Sequence, residues 1–349
     1  MYILERKTWL IIKIGRETEM KYLKNSDIES TLIRGKYSER EYKYSIVIPT
    51  YKRPELLRET LKSVVGIECS QPYQIIVVDN EANEGVSAFT DTEKVVAEFE
   101  YEGLVYFRNE KNLGMVGNWN RGIELARGKY VTILHDDDWV EPDFLIEVEK
   151  RINGSELLLF RPRIRDFSQK QTPVAEMKRG IKSAIRNLAD SIIVKRKLSI
   201  TDFYLRNPAF GTLGIVFDKQ KMLEIGCFDE ELYPIMDYIT WMKYCRQEGA
   251  VLYTKKVTNY RVEDNVSFQS AKITPQKLQE FREEFYKENS STLERVHKFS
   301  KELYVNDIIR NEKAWRVEIE KPDFFETTVN GFRYKMFVIW LNLYLLCRM

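Results

Sequence analysis

The stretch Tyr44-Ser-Ile-Val-Ile-Pro-Thr-Tyr-Lys-Arg-Pro-Glu-Leu-Leu57 decides the fold class of this chain. Its first half is apolar and rich in β-branched residues, which is typical of a short buried strand. Its second half predicts a helix, because Pro54 lies near the first turn and Glu55 lies at the positive end of the helix dipole. Gln74-Ile-Ile-Val-Val-Asp79 then predicts a second buried strand. A strand, a helix and a strand in this order predict parallel pairing.

The same alternation continues through the first half of the chain. The pattern predicts, in order, a helix, a strand, a helix, a strand and a helix, over Thr92–Phe99, Leu104–Arg108, Asn118–Ala126, Lys129–Leu134 and Pro142–Ile152. Four strands that alternate with helices predict an α/β fold, with a doubly wound, mostly parallel sheet and helices on both faces. Such sheets bind ligands beyond the carboxyl ends of their strands.

The second half of the chain has a mixed pattern. Strands are predicted over Leu157–Ile164, Thr212–Phe217 and Val251–Val262, and helices over Asp218–Ile225 and Met236–Gly249. From Pro275 to Ile319 the sequence is charged and favours helix. We therefore expect a helical C-terminal region that packs against the α/β core.

Composition and charge exclude several classes of protein. The 349 residues include 55 Lys plus Arg and 53 Asp plus Glu, so the formal charge of +2 gives no electrostatic case for a nucleic-acid partner. The chain has four scattered cysteines and two histidines. Neither a structural zinc site nor a disulfide framework is therefore expected. A reducing, cytoplasmic compartment fits this cysteine usage best.

Residues that carry chemistry follow three of the predicted strands. Thr50-Tyr-Lys-Arg53 follows the first strand, Asp79-Asn80 ends the second, and the triplet Asp136-Asp-Asp138 ends the fourth. The carboxyl ends of parallel strands lie at the same edge of a sheet. We therefore expect these three groups to converge, although they are far apart in sequence.

The acidic triplet predicts a divalent metal site. Adjacent carboxylates repel one another unless a counter-charge is present, and Mg²⁺ or Mn²⁺ with oxygen ligands is the usual one. A cation held there would offset the charge that builds on a departing diphosphate. The alternative interpretation is a solvated turn that caps the helix starting near Pro142.

Several segments of this chain resemble glycosyltransferase family 2 proteins. The stretch Ser45–Leu57 resembles the opening of that family, and four further segments match it in order and spacing, namely Ile75–Asn80, Asn112–Gly114, Asn120–Ala126 and Gly128–Asp138. The match extends from about residue 44 to about residue 150. It implies a GT-A fold and the transfer of a sugar from a nucleotide-sugar donor, with inversion at the anomeric carbon.

The resemblance also implies roles for the nucleotide-binding residues. Pro49, Thr50, Tyr51 and Arg53 would bind the nucleotide, with Tyr51 offering a stacking face for the base. Asp79 would accept a hydrogen bond from N3–H of uracil or thymine, a donor that cytosine lacks. The alternative for Asp79 is a turn residue that ends a strand.

The diphosphate and metal roles are implied in the same way. The residues assigned to the ribose and diphosphate are Asn112, Gly114, Asn120 and Arg121, for which loop structure and helix capping are the alternatives. Asp136 would approach the ribose, and Asp137 and Asp138 would approach the metal, without a choice between these two as direct ligand. His135 is interpreted as a neighbour that tunes the site rather than as a metal ligand.

Inversion by single displacement requires a general base opposite the leaving diphosphate. In the family this base is commonly the Asp of a Glu-Asp pair at the start of a helix. Here the pair is Met236-Asp237, so Asp237 is the candidate base and the departure at Met236 puts a second acidic contact in doubt. A helix N-terminal residue favoured by the dipole is the alternative for Asp237, and Asp229 is a weaker candidate base.

Three hypotheses about function follow. The first is a non-processive glycosyltransferase that adds one sugar from a UDP- or dTDP-sugar to a glycan or lipid-linked acceptor, in bacterial surface polysaccharide synthesis. No Gln-x-x-Arg-Trp motif follows Asp237, which argues against a processive synthase. The second is a catalytically silent binding protein on the same fold, suggested by Met236 and His135. The third, a nucleotidyltransferase, lacks its Gly-rich loop, since Tyr51-Lys-Arg-Pro54 stands there.

We expect four parts along the chain. These are an N-terminal extension (1–43), a nucleotide-sugar-binding subdomain (44–150), an acceptor-binding subdomain (151–265) and a helical C-terminal region (266–349). No stretch has the ~20 apolar residues that span a bilayer. The apolar segment Met336–Leu346 is interpreted either as a core or dimer-interface helix, or as a peripheral contact with the inner face of the plasma membrane.

Overall fold

The structure is a computed structural model, and it describes residues 28–37, 40–82, 90–167, 195–263 and 270–347. The apolar run Trp9–Ile12 of the expected N-terminal extension lies outside these ranges. Twelve strands are described, β1 (Ser30–Arg34), β2 (Tyr42–Thr50), β3 (Gln74–Asp79), β4 (Leu104–Asn109), β5 (Gly128–Ile133), β6 (Trp139–Val140), β7 (Leu157–Phe160), β8 (Arg163–Asp166), β9 (Lys195–Leu198), β10 (Ile215–Asp218), β11 (Ala250–Tyr253) and β12 (Thr258–Val262).

Twelve α-helices are described in the same ranges. They are α1 (Pro54–Val65), α2 (Asp91–Ala97), α3 (Gly114–Leu125), α4 (Phe144–Glu149), α5 (Ile200–Leu205), α6 (Lys219–Glu224), α7 (Met236–Glu248), α8 (Thr274–Glu288), α9 (Ser290–His297), α10 (Ser300–Trp315), α11 (Phe325–Asn330) and α12 (Phe332–Cys347). The helix-favouring region from Pro275 to Ile319 thus forms three helices, α8 to α10.

The core is a nine-stranded sheet with the order β1-β4-β3-β2-β5-β10-β7-β11-β9. The strands β4, β3, β2 and β5 pair in parallel, as do β7 and β11. Helices cover both faces of the sheet. On one face Val47 packs in a cluster with residues of α3, and on the other Ile46 packs with residues of α1. The predicted α/β fold with a mostly parallel sheet is therefore confirmed.

Burial on both faces explains why the central strands read as continuous apolar runs. Every residue of β3 and β4 is buried, and so are the last seven residues of β2. The edge strand β1 lies in the expected N-terminal extension, where no strand was predicted, and it pairs antiparallel with β4. Most of β1 is exposed or half-buried, so its sequence carries no apolar face that predicts a strand.

Two segments of the second half were each predicted to be one strand, and this was wrong, because each forms two strands. Leu157–Ile164 divides into β7 and β8, and Val251–Val262 divides into β11 and β12. In each case the first piece joins the large sheet and the second joins a small sheet of order β6-β12-β8. Pro162 separates β7 from β8, and a proline, which has no N–H, interrupts a strand ladder. The small sheet thereby reaches the acidic triplet, because β6 follows directly after it.

The C-terminal helix α12 is apolar on two opposite faces. One face is buried against the protein through Tyr334, Phe337, Leu341 and Leu345. The opposite face exposes Phe332, Met336, Ile339 and Leu343. Within the described residues, no helix is both long enough and apolar enough to cross a membrane.

Candidate active site

Three segments meet at the edge formed by the carboxyl ends of β2, β3 and β5. Thr50 lies opposite Asp79 in the β2–β3 pair, and the Asn80 N–H donates to the Thr50 carbonyl at 2.9 Å. The chain after β5 stays beside β2, since the Leu134 N–H donates to the Val47 carbonyl at 2.9 Å. The next residues are the acidic triplet. Asp79 and Asp136, which follow Thr50 in sequence by 29 and 86 residues, are thus brought to the same edge as Thr50.

Thr50 and Arg53 hold the first two carboxylates of the triplet. The Thr50 hydroxyl donates to Asp136 Oδ2 at 2.7 Å. The Arg53 guanidinium pairs with Asp136 Oδ1 and, at 3.0 Å, with Asp137 Oδ2. Asp136 is fully buried, whereas Arg53 is exposed to solvent. Arg53 therefore supplies part of the counter-charge that the sequence analysis assigned to a metal ion.

Asp138 is held by a main-chain donor of the small sheet and a side-chain donor of α1. Its Oδ1 accepts the Arg261 N–H at 2.9 Å, and its carbonyl accepts the Thr60 hydroxyl at 2.7 Å. The Arg261 side chain also donates to the Asp137 carbonyl at 3.0 Å. Asp138 is 1% exposed, and its Oδ2 has no hydrogen-bond partner among the residues that the structure describes. A buried carboxylate oxygen without a donor is what a bound cation would satisfy.

Burial dominates the ionisation of these acids. It raises the pKa of Asp136 to about 6, although the Arg53 charge and the Thr50 hydroxyl act in the opposite direction. Burial and the neighbouring Asp137 raise the pKa of Asp138 well above its ordinary value. A divalent cation would favour the ionised forms of both residues. The donor set therefore fits a hard cation with oxygen ligands.

His135 lies directly before the triplet and is half-buried. Its Nε2 is 3.1 Å from the Thr212 hydroxyl, and its ring stacks on Trp119 with centroids 5.2 Å apart. Burial lowers the pKa of this imidazole. One ligand atom each from His135, Asp137 and Asp138 lie within 4.8 Å of one another.

The structure gives Asp79 several partners inside the protein. The carboxylate is fully buried, and it accepts the Tyr106 hydroxyl at 2.8 Å and the Glu81 N–H at 2.9 Å. The second of these bonds closes a turn after β3, in agreement with the turn interpretation. Each oxygen keeps a further lone pair, so a role toward a base stays a prediction. Burial raises the pKa of Asp79 to about 6.

Two other predicted nucleotide residues lie beside Thr50. Pro49 is the penultimate residue of β2 and lies opposite Val78 of β3. The Tyr51 ring is 45% exposed, and Lys52 lies 5.3 Å from its centroid. Tyr51 thus presents an aromatic surface to solvent at the same edge of the sheet.

Asn112 and Gly114 belong to a network of amides before α3. Asn80 donates to Asn112 Oδ1 at 2.7 Å, and Asn112 in turn accepts the Gly114 N–H at 2.8 Å. Gly114 has φ +71°, and the position of a Cβ there is open space. This conformation favours glycine on backbone grounds alone. Helix α3 begins at Gly114, four residues earlier than predicted.

Asn120 and Arg121 make contacts away from this network. Asn120 exchanges two hydrogen bonds with the backbone of Phe228, at 2.8 and 3.1 Å. Arg121 pairs with Glu124 and donates to the Ile28 carbonyl. These are contacts that fix α3 to the core and to the edge strand. Both residues lie inside α3 rather than in a loop or at its cap, and their predicted diphosphate role stays a prediction.

Asp237 lies in the first turn of α7 and is half-buried. Burial raises its pKa to about 6, opposed by the N–H groups of Asp237 and Tyr238. In the described chain no charged side chain contributes to this pKa. Two contacts connect α7 with the triplet, because Gly211 accepts the Trp241 indole N–H at 2.8 Å while the adjacent Thr212 contacts His135.

Comparison with known proteins agrees with this architecture. The model of glycosyl transferase family 2 matches residues 45–217. The chain belongs to this family. This glycosyltransferase is 25% identical over 204 residues to the uncharacterised protein MT1568 of Mycobacterium tuberculosis, a match over 57% of this chain and 60% of that protein. The match thus spans about three fifths of the length of that relative.

Two further similarities are more local or more distant. The Campylobacter jejuni GalNAc(5)-diNAcBac-PP-undecaprenol β-1,3-glucosyltransferase is 33% identical over 99 residues, which cover 28% of this chain and 30% of that enzyme. Among solved structures, the mannosyltransferase PcManGT of Pyrobaculum calidifontis, in complex with GDP-Man and Mn²⁺, has a TM-score of 0.51. It is 13% identical and aligns over 99% of this chain and 92% of its own. That likeness shows the fold.

The sequence analysis of this glycosyltransferase missed several residues of the site. They are Thr60, Tyr106, Trp119, Thr212 and Arg261. Arg261 is 123 residues from Asp138, and its N–H reaches the carboxylate only because β12 lies beside β6. The strand pattern around Arg261 was visible, but nothing in it indicated which sheet the strand joins.

Proposed function

We propose that this glycosyltransferase is a non-processive, inverting enzyme that transfers one sugar from a UDP- or dTDP-sugar to a glycan or lipid-linked acceptor. We assign it to the synthesis of a bacterial surface polysaccharide. The observation that carries the proposal is the convergence of Thr50, Arg53 and the acidic triplet at one edge of the sheet. The partly desolvated Asp237 is connected to the same edge through residues 211–212.

The donor would lie along that edge. Tyr51 offers its exposed ring to the base, and Asp79 keeps acceptor capacity for an N3–H group. Arg53 offers a guanidinium at the point where phosphate charge would lie, and planar guanidinium groups bind phosphates well. Asn112 and Gly114 end the loop in front of α3, where main-chain N–H groups favour an anion.

Asp137 and Asp138 would hold a divalent metal, Mg²⁺ or Mn²⁺. The cation would neutralise charge on the diphosphate as it leaves. The protein's contribution is to fix the two carboxylates, through Arg53 for Asp137 and through Arg261 for Asp138.

Asp237 would accept the proton of the acceptor hydroxyl. A base is most effective when its pKa is close to the working pH, and burial brings the pKa of Asp237 to about 6. Met236 beside it is buried and apolar, which excludes a second carboxylate from that position. Asp229 caps the short turn before α7 by accepting the Glu231 N–H, so its carboxylate is already used locally.

We divide the chain by role as the sequence suggested, with donor binding in 44–150 and acceptor binding in 151–265. The strands of both parts share one nine-stranded sheet, so the division is one of function. The C. jejuni relative is named as a glucosyltransferase for an undecaprenol-linked glycan. This supports a lipid-linked acceptor for the present enzyme.

A donor-hydrolysis assay tests the proposal. Purified protein is incubated with UDP-, dTDP-, GDP- and CDP-sugars, with Mn²⁺, with Mg²⁺ or with EDTA. We expect metal-dependent release of UDP or dTDP, and its loss in Asp136→Ala and Asp137→Ala variants that keep the wild-type circular dichroism. Wild-type turnover in both variants would refute the site. Binding of a nucleotide-sugar without turnover, unchanged in Asp237→Asn, would identify a silent binding protein instead.

We further propose that α12 rests on an anionic membrane surface, at the inner face of the plasma membrane. Its four exposed apolar residues are spaced by four, three and four positions, so they form one stripe along the helix. The sequence of α12 contains no Asp or Glu, whereas Arg333 and Lys335 lie exposed at its start. An apolar stripe with flanking cations matches the chemistry of an interfacial helix.

Vesicle sedimentation tests this surface. We expect the protein to pellet with phosphatidylglycerol-containing vesicles and less with pure phosphatidylcholine. The double variant Ile339→Ser/Leu343→Ser should lose this binding, whereas Ile164→Ser, which changes an equally exposed residue of β8, should keep it. If the wild-type protein ignores vesicles, or forms a dimer that the double variant dissociates, the bilayer is not the partner of this face.

A further inference from the structure

The hydroxyl of Thr212 fixes the proton on the imidazole of His135. This hydroxyl lies 3.2 Å from the Ile133 carbonyl and 3.1 Å from His135 Nε2. A hydroxyl has one proton, and the carbonyl is able only to accept. Both contacts are hydrogen bonds only if Thr212 donates to Ile133 and accepts from Nε2–H. The neutral tautomer with the proton on Nε2 follows.

That tautomer leaves a lone pair on Nδ1. Among the described residues, Nε2 is the ring nitrogen with a hydrogen bond, and Nδ1 has none. The ring cannot easily reorient, because Trp119 stacks on it at an interplanar angle of 24°. Histidines that bind metals commonly show this arrangement, in which one nitrogen donates to a protein oxygen and the other binds the ion.

The neighbours of the ring also point to a cation. A ligand atom of His135 lies within 4.8 Å of carboxylate oxygens of Asp137 and Asp138. Independently, Asp138 Oδ2 is buried without a donor among the described residues. A lone pair and an unpaired carboxylate oxygen in one cluster are both acceptors, so neither satisfies the other.

We propose that His135 is a third protein ligand of the metal, binding through Nδ1 beside Asp137 and Asp138. This inference rests on the proposed function for the presence of the metal. It changes the donor set from oxygen alone to mixed nitrogen and oxygen. Imidazole suits transition metals, whereas Mg²⁺ prefers oxygen. The site should therefore favour Mn²⁺ over Mg²⁺, and His135 should be the residue responsible.

Electron paramagnetic resonance of bound Mn²⁺ tests the assignment, with UDP present as the nucleotide. The chain has only two histidines, His135 and His297, so ¹⁵N-histidine labelling makes the origin of a nitrogen coupling unambiguous. His297 lies at the end of α9 and bonds to the Tyr204 hydroxyl at 2.8 Å. The variant His297→Asn is therefore the matched control.

We expect a histidine nitrogen coupling to Mn²⁺ in the wild type and in His297→Asn, and its loss in His135→Asn and His135→Gln. The dissociation constant for Mn²⁺ should rise at least about tenfold in the His135 variants, while the constant for Mg²⁺ changes less. Mn²⁺ that binds the wild type without nitrogen coupling overturns this inference and leaves the proposed function intact. Absence of Mn²⁺ binding by the wild type overturns both, and the wild-type spectrum decides even if a variant fails to fold.

Discussion

The acidic triplet and Asp237 are both partly or fully desolvated acids, but their surroundings differ. Each carboxylate of the triplet has protein donors or cations near it, from Thr50, Arg53 and the Arg261 N–H. Among the described residues, Asp237 has the N–H groups of its own helix start as partners. The triplet therefore has hydrogen-bond donors and an opposing positive charge inside the protein. No charged side chain of the described residues contributes to the pKa of Asp237, which burial raises to about 6, a value that suits the proposed general base.

The largest effect in this comparison should come from Asp237→Asn. The variant removes the proposed base, so transfer to an acceptor should fall by roughly 10²–10⁴-fold. The free energy of unfolding, in contrast, should increase. A folded-state pKa raised to about 6 means that, at pH 7, the ionised carboxylate is less favourable in the folded protein than in the unfolded chain. Its removal should stabilise the fold by on the order of 2 kcal/mol.

Steady-state kinetics and thermal unfolding check this prediction together. Asp237→Glu keeps the carboxylate and serves as the control. A variant that is more stable and fully active would place the base elsewhere and make Asp237 a helix-start residue only.

The pH profile sharpens the same contrast. Because Asp237 must be ionised to act, kcat/KM should fall about tenfold per pH unit below its pKa of about 6 and level off above it. The contribution of Asp237 to stability should depend on pH in the opposite direction. The folded state binds the proton more tightly than the unfolded chain, so this residue's contribution to stability decreases as pH rises from 4 to 6. A profile that is flat from pH 5 to pH 7 would contradict the assignment.

Arg261→Met should change the contacts of the triplet without changing those of Asp237. The variant keeps the N–H that binds Asp138 but removes the side-chain bond to the Asp137 carbonyl and the ion pair with Glu59. We expect affinity for Mn²⁺ to fall about tenfold, the scale seen when an outer partner of a metal site is lost. Isothermal titration with Mn²⁺ measures it. An unchanged affinity would show that the small sheet does not position the site.

The smallest of the predicted effects should be the difference in stability between Thr50→Val and Thr60→Val. Thr50 donates to the Asp136 carboxylate and Thr60 to the Asp138 carbonyl. Loss of a bond to a buried charge should cost about 2 kcal/mol at pH 7.5, and loss of the neutral bond about 1 kcal/mol. The Thr50 effect should shrink at pH 5, since the pKa of Asp136 is about 6 and the carboxyl is then protonated. Denaturant unfolding at the two pH values compares the variants.

The first half of the fold was predictable because its signal is local. Burial on both faces makes β2, β3 and β5 continuous apolar runs, and parallel strands then bring Thr50, Asp79 and the triplet to one edge. The second half was less predictable. The break at Pro162 between β7 and β8 sends one stretch into two sheets, and the sequence of β1 shows no buried face at all.

The predicted site residues divide in the same way. The residues at strand ends, Thr50, Arg53 and the triplet, lie together because register alone places them. Asn120 and Arg121 lie on a helix, where a turn of the helix decides which side chains face the core and which face the ligand. The sequence predicted the helix that carries them, but their partners at Phe228 and Ile28 are distant in sequence and could not be predicted.

The sequence by itself determined the fold class, the family and the edge of the sheet at which the candidate site lies. Periodicity and the order of the strands are properties of short segments, so no long-range contact was needed to predict them. The tertiary structure alone decided that Arg53 pairs with Asp136 and Asp137, that the Arg261 N–H binds Asp138 and that Thr212 contacts the imidazole of His135. Each of these depends on a contact between segments about 80 to 120 residues apart, and only the packing of complete sheets produces such contacts.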